Sequence, residues 1–445
     1  MRALLTFLLL TLPLLHAAGM PYVEVARIYP HVHGGSEIKQ LAISKDCLAL
    51  ALNDSLLLIH ASKVEKLNLT PKGIFSGEKI FIQSEGRLYA FSKNGLDLIA
   101  DCGSCTYVPY SREKYAIVSE RGLVIRVNGK EKTLGIKPIS VKWSEDGSYL
   151  AVLEGNSVSL IKEGELLWSS GFNTQIFDLS VNDGVLAVTT KNCEVYAYRV
   201  KGGIAWTNRI CDCCIPLKLA STDGIFAVAI LGKEIAILNS TSGKVLQRSD
   251  IPAYRVWAFE GLITALDSNG TVHVLADANS LRVEGKSSGI LLEWGIPEWV
   301  KGELRYEVGD EIGSLTISTK SFLPVKAKGN LTLKLRDPNG VEIERIVEIK
   351  PLIVDLKPDG EVSIEGEGEL AIESGGSFYR GTHARVDTGF LPTYSITVLN
   401  YGVPIARYEC YNSRFTLITL ILALSVVIAL VKKFLFKKAQ SSLWI

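Results

Sequence analysis

One phrase recurs along this chain and restricts its fold more than any other feature. "VKWSEDGSYLAVLEGNSVSLIKEGELLWSSG" is followed by "LSVNDGVLAVTTKNCEVYAYRVKGGIAW" and "KLASTDGIFAVAILGKEIAILNSTSGKVL". Each reads as a strand, an Asp-Gly turn (Asp146-Gly147, Asp183-Gly184, Asp223-Gly224), two further strands, and a Gly-containing turn into a fourth strand. Anchoring on the second strand finds Leu48, Ile80, Tyr115, Leu150, Leu186, Phe226 and Ile263, spaced 32 to 40 residues apart. A four-stranded unit of this size cannot bury both of its faces alone, so such units stack around an axis. An open array would leave long sheet edges exposed. The expectation is an all-β chain with a seven-bladed β-propeller over residues 20–290.

The segments "EVYAYRVKGGIAW", "IAILNSTSGKVLQ" and "LYAFSKNGLDLI" resemble the pyrroloquinoline-quinone-type propeller repeat, and "VKWSEDGSYLAV" resembles the WD repeat. The resemblance covers about Ile38 to Gly285. It implies the fold. It implies little about activity, because both families include many pure scaffolds. A ring also needs closing. "YVEVARIY" (Tyr22 to Tyr29) precedes the first unit, and the expectation is that it pairs as the outer strand of the last blade, beside Val256 to Ala276. Leu281 to Gly285 competes for that place. Trp168 and Trp206 occupy matching fourth-strand positions and read as packing residues, whereas Trp294 and Trp299 read as a wedge between two domains.

Past "EWGIPEWVKGE" the repeat stops, but alternation continues in "LTLKLRDPNGVEIERIVEI" and "YSITVLNYGVPIARYE", with turn pairs at Asn339-Gly340 and Asp359-Gly360. This predicts an immunoglobulin-like β-sandwich stalk over residues 300–410, without the Cys…Trp…Cys signature of true immunoglobulin domains.

The two ends give the expected compartment. "MRALLTFLLLTLPLLHAAG" has a charged start, a short apolar run and a small-residue exit, the pattern of a signal peptide over residues 1–19. Phe415 to Val431 carries no charge and is long enough, at ~1.5 Å per residue, for a single transmembrane helix. Lys432, Lys433, Lys437 and Lys438 follow in a tail over 432–445, and such clusters stay cytoplasmic. The expectation is a type I single-pass protein of the cell membrane with its N-terminal ectodomain outside. Asn53, Asn68, Asn239, Asn269 and Asn330 begin N-x-S/T triplets, which serve as glycosylation acceptors in that setting. A net charge of +1 argues against a nucleic-acid partner.

The cysteines cluster. Numbering strands from the axis outward, Cys211, Cys213 and Cys214 fall in the loop between the fourth strand of one blade and the first strand of the next. Cys102 and Cys105 fall in the same kind of loop, Cys193 in a second-to-third-strand turn, and His31 and His33 in the loop entering the first blade. All of these loops share one face; Cys47 lies on the other, and Cys410 beside the membrane. Outside the membrane thiols oxidise, and eight cysteines can pair. The leading expectation is disulfides: Cys102–Cys105, and Cys193 with one of Cys211, Cys213 and Cys214. His31, His33, Cys102, Cys105, Cys211, Cys213 and Cys214 also have the ligand chemistry for zinc or copper. The adjacent pair Cys213-Cys214 leaves a redox role open; it resembles the vicinal disulfide of quinone-dependent dehydrogenases, whose calcium-binding carboxylate set has no counterpart here. HExxH and Walker patterns are absent, and Ser111-x-x-Lys114 has no companion motif. No cofactor and no catalytic residue is therefore assigned. The functional expectation is a membrane-anchored scaffold, or a subunit of an envelope complex, that meets protein partners through the propeller face. The alternative is a redox-active or metal-binding envelope protein using the cysteine-rich face.

Overall fold

The computed structural model describes residues 22–29, 37–61, 63–77, 79–92, 95–182, 184–212, 218–357, 360–387 and 392–441. The segment expected to be a signal peptide, His31, His33, Cys213 and Cys214 lie outside the described residues. The chain is all-β with a propeller and one C-terminal apolar helix. Between Tyr22 and Asp277, seven four-stranded antiparallel sheets follow one another among the described residues. The fourth runs Ser140–Trp143, Tyr149–Glu154, Ser157–Lys162 and Glu165–Gly171, in sequence order across the sheet. The innermost strands of the seven are Gln40–Ile43, Gly73–Phe75, Thr106–Pro109, Ser140–Trp143, Ile176–Asn182, Lys218–Thr222 and Ala253–Phe259.

The repeat has a direct packing rationale. Second strands such as Val185–Thr190, Ile225–Ile230 and Leu262–Asp267 are buried along their whole length, because each is covered on both faces by neighbouring sheets. Outer strands such as Glu165–Gly171 and Val245–Ser249 carry mainly exposed and half-buried residues. Alanines in the second and third strands, including Ala227, Ala236 and Ala265, let adjacent sheets approach closely. The Gly-turn and Trp signature is explained by one contact made at two successive seams. Trp206 Nε1 donates to the Ser240 carbonyl at 2.8 Å and Trp168 Nε1 to the Val200 carbonyl at 2.9 Å, each reaching a turn of the following sheet. Gly243, at φ +70°, lies where a Cβ would stand 2.5 Å from the Trp206 ring. Only a residue without a side chain fits both the backbone and the stacked indole.

The N-terminal strand Tyr22–Ile28 closes the ring. It pairs antiparallel with Val272–Asp277, from Tyr22 opposite Asp277 to Ile28 opposite Val272. Leu281–Lys286, the competing candidate, instead pairs with Gly289–Trp294. Leu262 and Leu266 of the seventh sheet share a core with Leu41, Ile43 and Leu48 of the first.

The strands beyond the ring differ from the expected single sandwich. They form two pairs of sheets with separate cores. The first pair begins at Leu281 and ends at Ile349; the second runs from Ile353 to Tyr411. The strands of the first pair thus begin before residue 290, inside the range expected for the ring. Leu304, Leu333 and Leu335 of the first pair belong to the same core as Val23 and Leu41, so this pair is fused to the ring. The second pair joins the first through polar contacts. Buried Ser287 donates its hydroxyl to the Pro351 carbonyl and accepts from the Glu367 N–H, while Asn400 donates to the Ser287 carbonyl.

Gly302 is the tightest point at which the first pair of sheets, in the region expected to be a stalk and labelled so below, meets the ring. A Cβ there would lie 1.6 Å from the Val25 carbonyl oxygen. Gly302→Ala is expected to force the stalk strand off the closing strand and to cost about 1–3 kcal/mol. Thermal denaturation checks this, and an unchanged melting curve would show that the contact is dispensable.

The C-terminal helix α1 spans Ser413–Ser441. Its stretch Ser413–Lys433 is long and apolar enough to cross a membrane, and none of it is buried against the protein. Asn412 caps it, its side-chain oxygen accepting from the Arg414 N–H at 3.0 Å.

Candidate functional site: the free face and its channel

The stalk holds the ring from one side. Trp299 Nε1 donates to the Ser44 carbonyl at 3.0 Å, in the turn between the first and second strands of the first sheet. Lys301 Nζ donates to the Ala61 carbonyl at 2.8 Å, in the turn between its third and fourth strands. Trp294 Nε1 donates to the Asp277 carbonyl at 3.2 Å. Both tryptophans are buried. In an antiparallel meander these two kinds of turn lie on one face. The opposite face carries the second-to-third-strand turns and the loops between sheets, and is called the free face below.

The described cysteines divide between these faces. Cys102 and Cys105 form a disulfide on the free face, with Cα atoms 5.9 Å apart. Gln83 brackets that loop, donating to the Cys105 carbonyl at 2.7 Å and accepting from the Tyr107 N–H at 3.0 Å. Cys193 and Cys211 sit at a different seam, between the fifth and sixth sheets. The Ile210 N–H donates to the Cys193 carbonyl at 3.0 Å, and Cys211 packs against the same core in which Ile210 is buried. The two loops therefore belong to separate seams and do not converge. Among the described residues, no three of His, Cys, Asp and Glu form a metal-binding group. Cys47 lies buried on the stalk side, its thiol pushed up to about 11 by burial. Cys410 is half-buried in the last strand before α1. Asn53, Asn68, Asn269 and Asn330 are exposed, whereas Asn239 is half-buried and its side-chain oxygen accepts from Thr241 and Ser242.

A cavity of about 500 Å³ runs between the inner strands. Phe75, Trp143, Trp257 and Phe259 line its walls. Toward the free face, Lys142 ties three sheets together. Its Nζ lies 2.9 Å from Asp178 Oδ1 of the fifth sheet and donates to the Leu219 carbonyl of the sixth at 2.9 Å. Asp178 also accepts from the Leu219 N–H at 3.1 Å. At the stalk-side mouth, Glu145 reaches from the fourth sheet to the sixth and seventh. It accepts from the Thr222 hydroxyl at 2.7 Å, the Asp223 N–H at 3.1 Å and the Glu260 N–H. Burial pushes its carboxyl above the ordinary value despite these bonds. Asp146, Asp223 and Glu260 stand around the same mouth.

His273 is buried between two carboxylates: Glu24 Oε1 at 2.8 Å and Asp267 Oδ2 at 3.3 Å. Both ring nitrogens are thus occupied, which leaves none for a nucleophile. Glu24 also takes a two-point contact from Arg27, at 2.6 and 2.8 Å, and a hydrogen bond from Asn339 of the stalk at 2.6 Å. Asp337 accepts from the Glu24 N–H at 3.0 Å. This network joins the closing strand, the last sheet and the stalk. Lys114 of the Ser111-x-x-Lys114 pattern sits over the Trp143 ring, 5.4 Å from its centre.

No protein-family model and no curated protein sequence matches the chain. Several solved propeller structures are similar to it. BamB from Moraxella catarrhalis aligns at 13% identity and a TM-score of 0.39, over 53% of this chain and 84% of that one. BBS1N, solved in complex with ARL6DN, aligns at 15% identity and a TM-score of 0.46, over 59% and 98%. The WD40 β-propeller domain of Doa1 aligns at 12% identity and a TM-score of 0.43, over 59% and 98%. At these identities and scores the likeness lends this chain neither an activity nor a partner.

Proposed function

We propose that the protein is a membrane-anchored extracellular scaffold whose seven sheets are the blades of one ring. The ring is held away from the bilayer by the stalk, and its free face meets a protein of the envelope or the membrane. In this reading residues 1–19 are a removed signal peptide, residues 415–431 span the membrane and 432–445 face the cytoplasm. The two sandwiches between Leu281 and Tyr411 form the stalk. The cysteine loops are rigid parts of the presented face.

One observation carries this reading. The stalk grips the ring through the turns at Ser44 and Ala61, and these belong to the face opposite the inter-sheet loops. A chain that spends its attachment contacts on one face leaves the other for a partner. A fused core between ring and stalk keeps that face at a fixed orientation, which suits a scaffold more than a tethered enzyme. The test is site-specific photo-crosslinking in native cells. A crosslinker at Ile139, 72% exposed in the loop entering the fourth sheet, is expected to capture a membrane or envelope protein. One at Glu163, in a turn of the stalk-side face, is expected to capture none. Equal capture from both positions would remove the basis for the reading. Protease added to intact cells checks the topology separately, with only a helix-and-tail fragment expected to survive.

A further inference from the structure

The free face is not uniform. Three of the chain's five N-x-S/T triplets fall on it, and they fall in one arc. Asn53 lies in the turn between the second and third strands of the first sheet, Leu48–Ala51 and Leu56–Ile59. Asn68 follows that sheet's fourth strand, Val64–Leu67, in the loop to the second sheet. Asn269 lies in the turn between Leu262–Asp267 and Val272–Asp277 of the seventh sheet, which shares a core with the first. All three residues are exposed, and none of their side-chain amides is hydrogen-bonded among the described residues. The other two triplets lie elsewhere. Asn239 ends a third strand on the stalk side, where the Thr241 and Ser242 N–H groups donate to its side-chain oxygen at 3.2 and 2.9 Å. Asn330 belongs to the stalk strand Gly329–Arg336. The free face of the third to sixth sheets therefore carries no such acceptor. It carries exposed apolar side chains instead, Ile139 in the loop entering the fourth sheet and Leu231 in a turn of the sixth.

We propose that Asn53, Asn68 and Asn269 carry N-linked glycans that close the arc of the seventh and first sheets and the entry to the second, so that a protein partner reaches the ring only across the third to sixth. The inference rests on the extracellular scaffold reading and says which part of the free face the partner meets. In the transfer step the asparagine amide nitrogen attacks the anomeric carbon of a lipid-linked oligosaccharide. A C–N bond forms, the sugar's bond to the lipid phosphate or diphosphate oxygen breaks with its electron pair, and the amide nitrogen gives up one proton. The acceptor signal includes the hydroxyl residue of the triplet. Ser55 and Thr271 are buried in the folded ring, so Asn53 and Asn269 are modified before their turns close. Thr70, beside Asn68, stays exposed. A glycan is bulky and solubilising, whereas the centre of a protein interface is dehydrated and apolar. The arc has the acceptors for the first, and Ile139 and Leu231 supply surface for the second.

The test is glycopeptide mass spectrometry on the full-length protein taken from its native membranes. Peptides containing Asn53, Asn68 and Asn269 are expected to carry an oligosaccharide mass, lost one site at a time in Asn53→Gln, Asn68→Gln and Asn269→Gln. Photo-crosslinking in native cells then compares two positions on the same face. A crosslinker at Ser268, exposed beside Asn269, is expected to capture about tenfold less protein than one at Ile139. An unmodified peptide at any of the three sites overturns the proposal, and so does equal capture from Ser268 and Ile139. Either result, with capture at Ile139 intact, sinks this inference and leaves the scaffold reading standing. Capture from neither position ends the scaffold reading and the shielding role with it, while the glycans themselves are still decided by mass.

Discussion

A chain lacking Tyr22–Ile28 is expected to melt roughly 10–20 °C below the intact protein. Val23, Val25 and Ala26 of this strand are at most 4% exposed. Burying a valine side chain stabilises by about 1.5–3 kcal/mol. Two valines and an alanine, with a ladder of main-chain hydrogen bonds, sum to roughly 4–6 kcal/mol. For domains of this size each kcal/mol moves the midpoint by about 2–4 °C. Removal also opens the edge of Val272–Asp277, which favours aggregation. Differential scanning calorimetry on the full and shortened proteins decides it. A shift of only a degree or two would mean that the ring closes without this strand.

Glu24→Gln is expected to destabilise the protein by about 3 kcal/mol at neutral pH, because it leaves Arg27 without its buried counter-charge. The pH dependence gives the sharper test. Burial alone would raise the Glu24 carboxyl, but hydrogen bonds from His273 and Arg27 outweigh it and hold it below its ordinary value of 4.5. Burial likewise opposes the hydrogen bonds of Asp267 and loses, leaving that carboxyl below 3.8. A depressed carboxyl contributes stability that is fully present above its unfolded value and is lost as pH falls through the folded one. The gap between wild type and Glu24→Gln should therefore be constant from neutral pH down to about 4.5 and narrow below it. Asp337 works the other way. Burial raises it above 3.8, so its cost is relieved on acidification and softens the acid loss. Urea unfolding of both proteins across this range measures the gap. A gap that stays constant into the acid range would show that Glu24 is not held as its charged form.

The ring was legible because its signal is local and repeated. The Asp-Gly turns, the doubly buried second strands and the Trp-to-turn contact all lie within one unit or between sequence neighbours. The closing strand was legible from its isolation, and the Cys102–Cys105 loop from its spacing. The character of Glu24 was hidden. In "YVEVARIY" it occupies the alternate position that faces solvent in a half-buried strand, yet it is 1% exposed because the stalk strand Gly302–Val308 covers that side. Its partners His273, Asn339 and Asp337 lie 249 to 315 residues away, beyond any periodicity. The two-core stalk was hidden for a related reason. Alternation in Leu281–Tyr411 marks strands without stating which pair, and Lys320–Pro324 crosses over to join Gly289–Trp294.

Closure by the first strand also sets a timetable. Tyr22 pairs with Asp277, so the earliest part of the ring to be synthesised is the last to find its place. At ribosomal rates of about 5–20 residues per second, it waits roughly ten to fifty seconds while the remaining sheets are made. Throughout that interval an apolar β-segment has no legitimate partner. A cell making this protein must keep that segment from pairing with a neighbouring nascent chain, and slowing synthesis anywhere before Val272 would lengthen the risk.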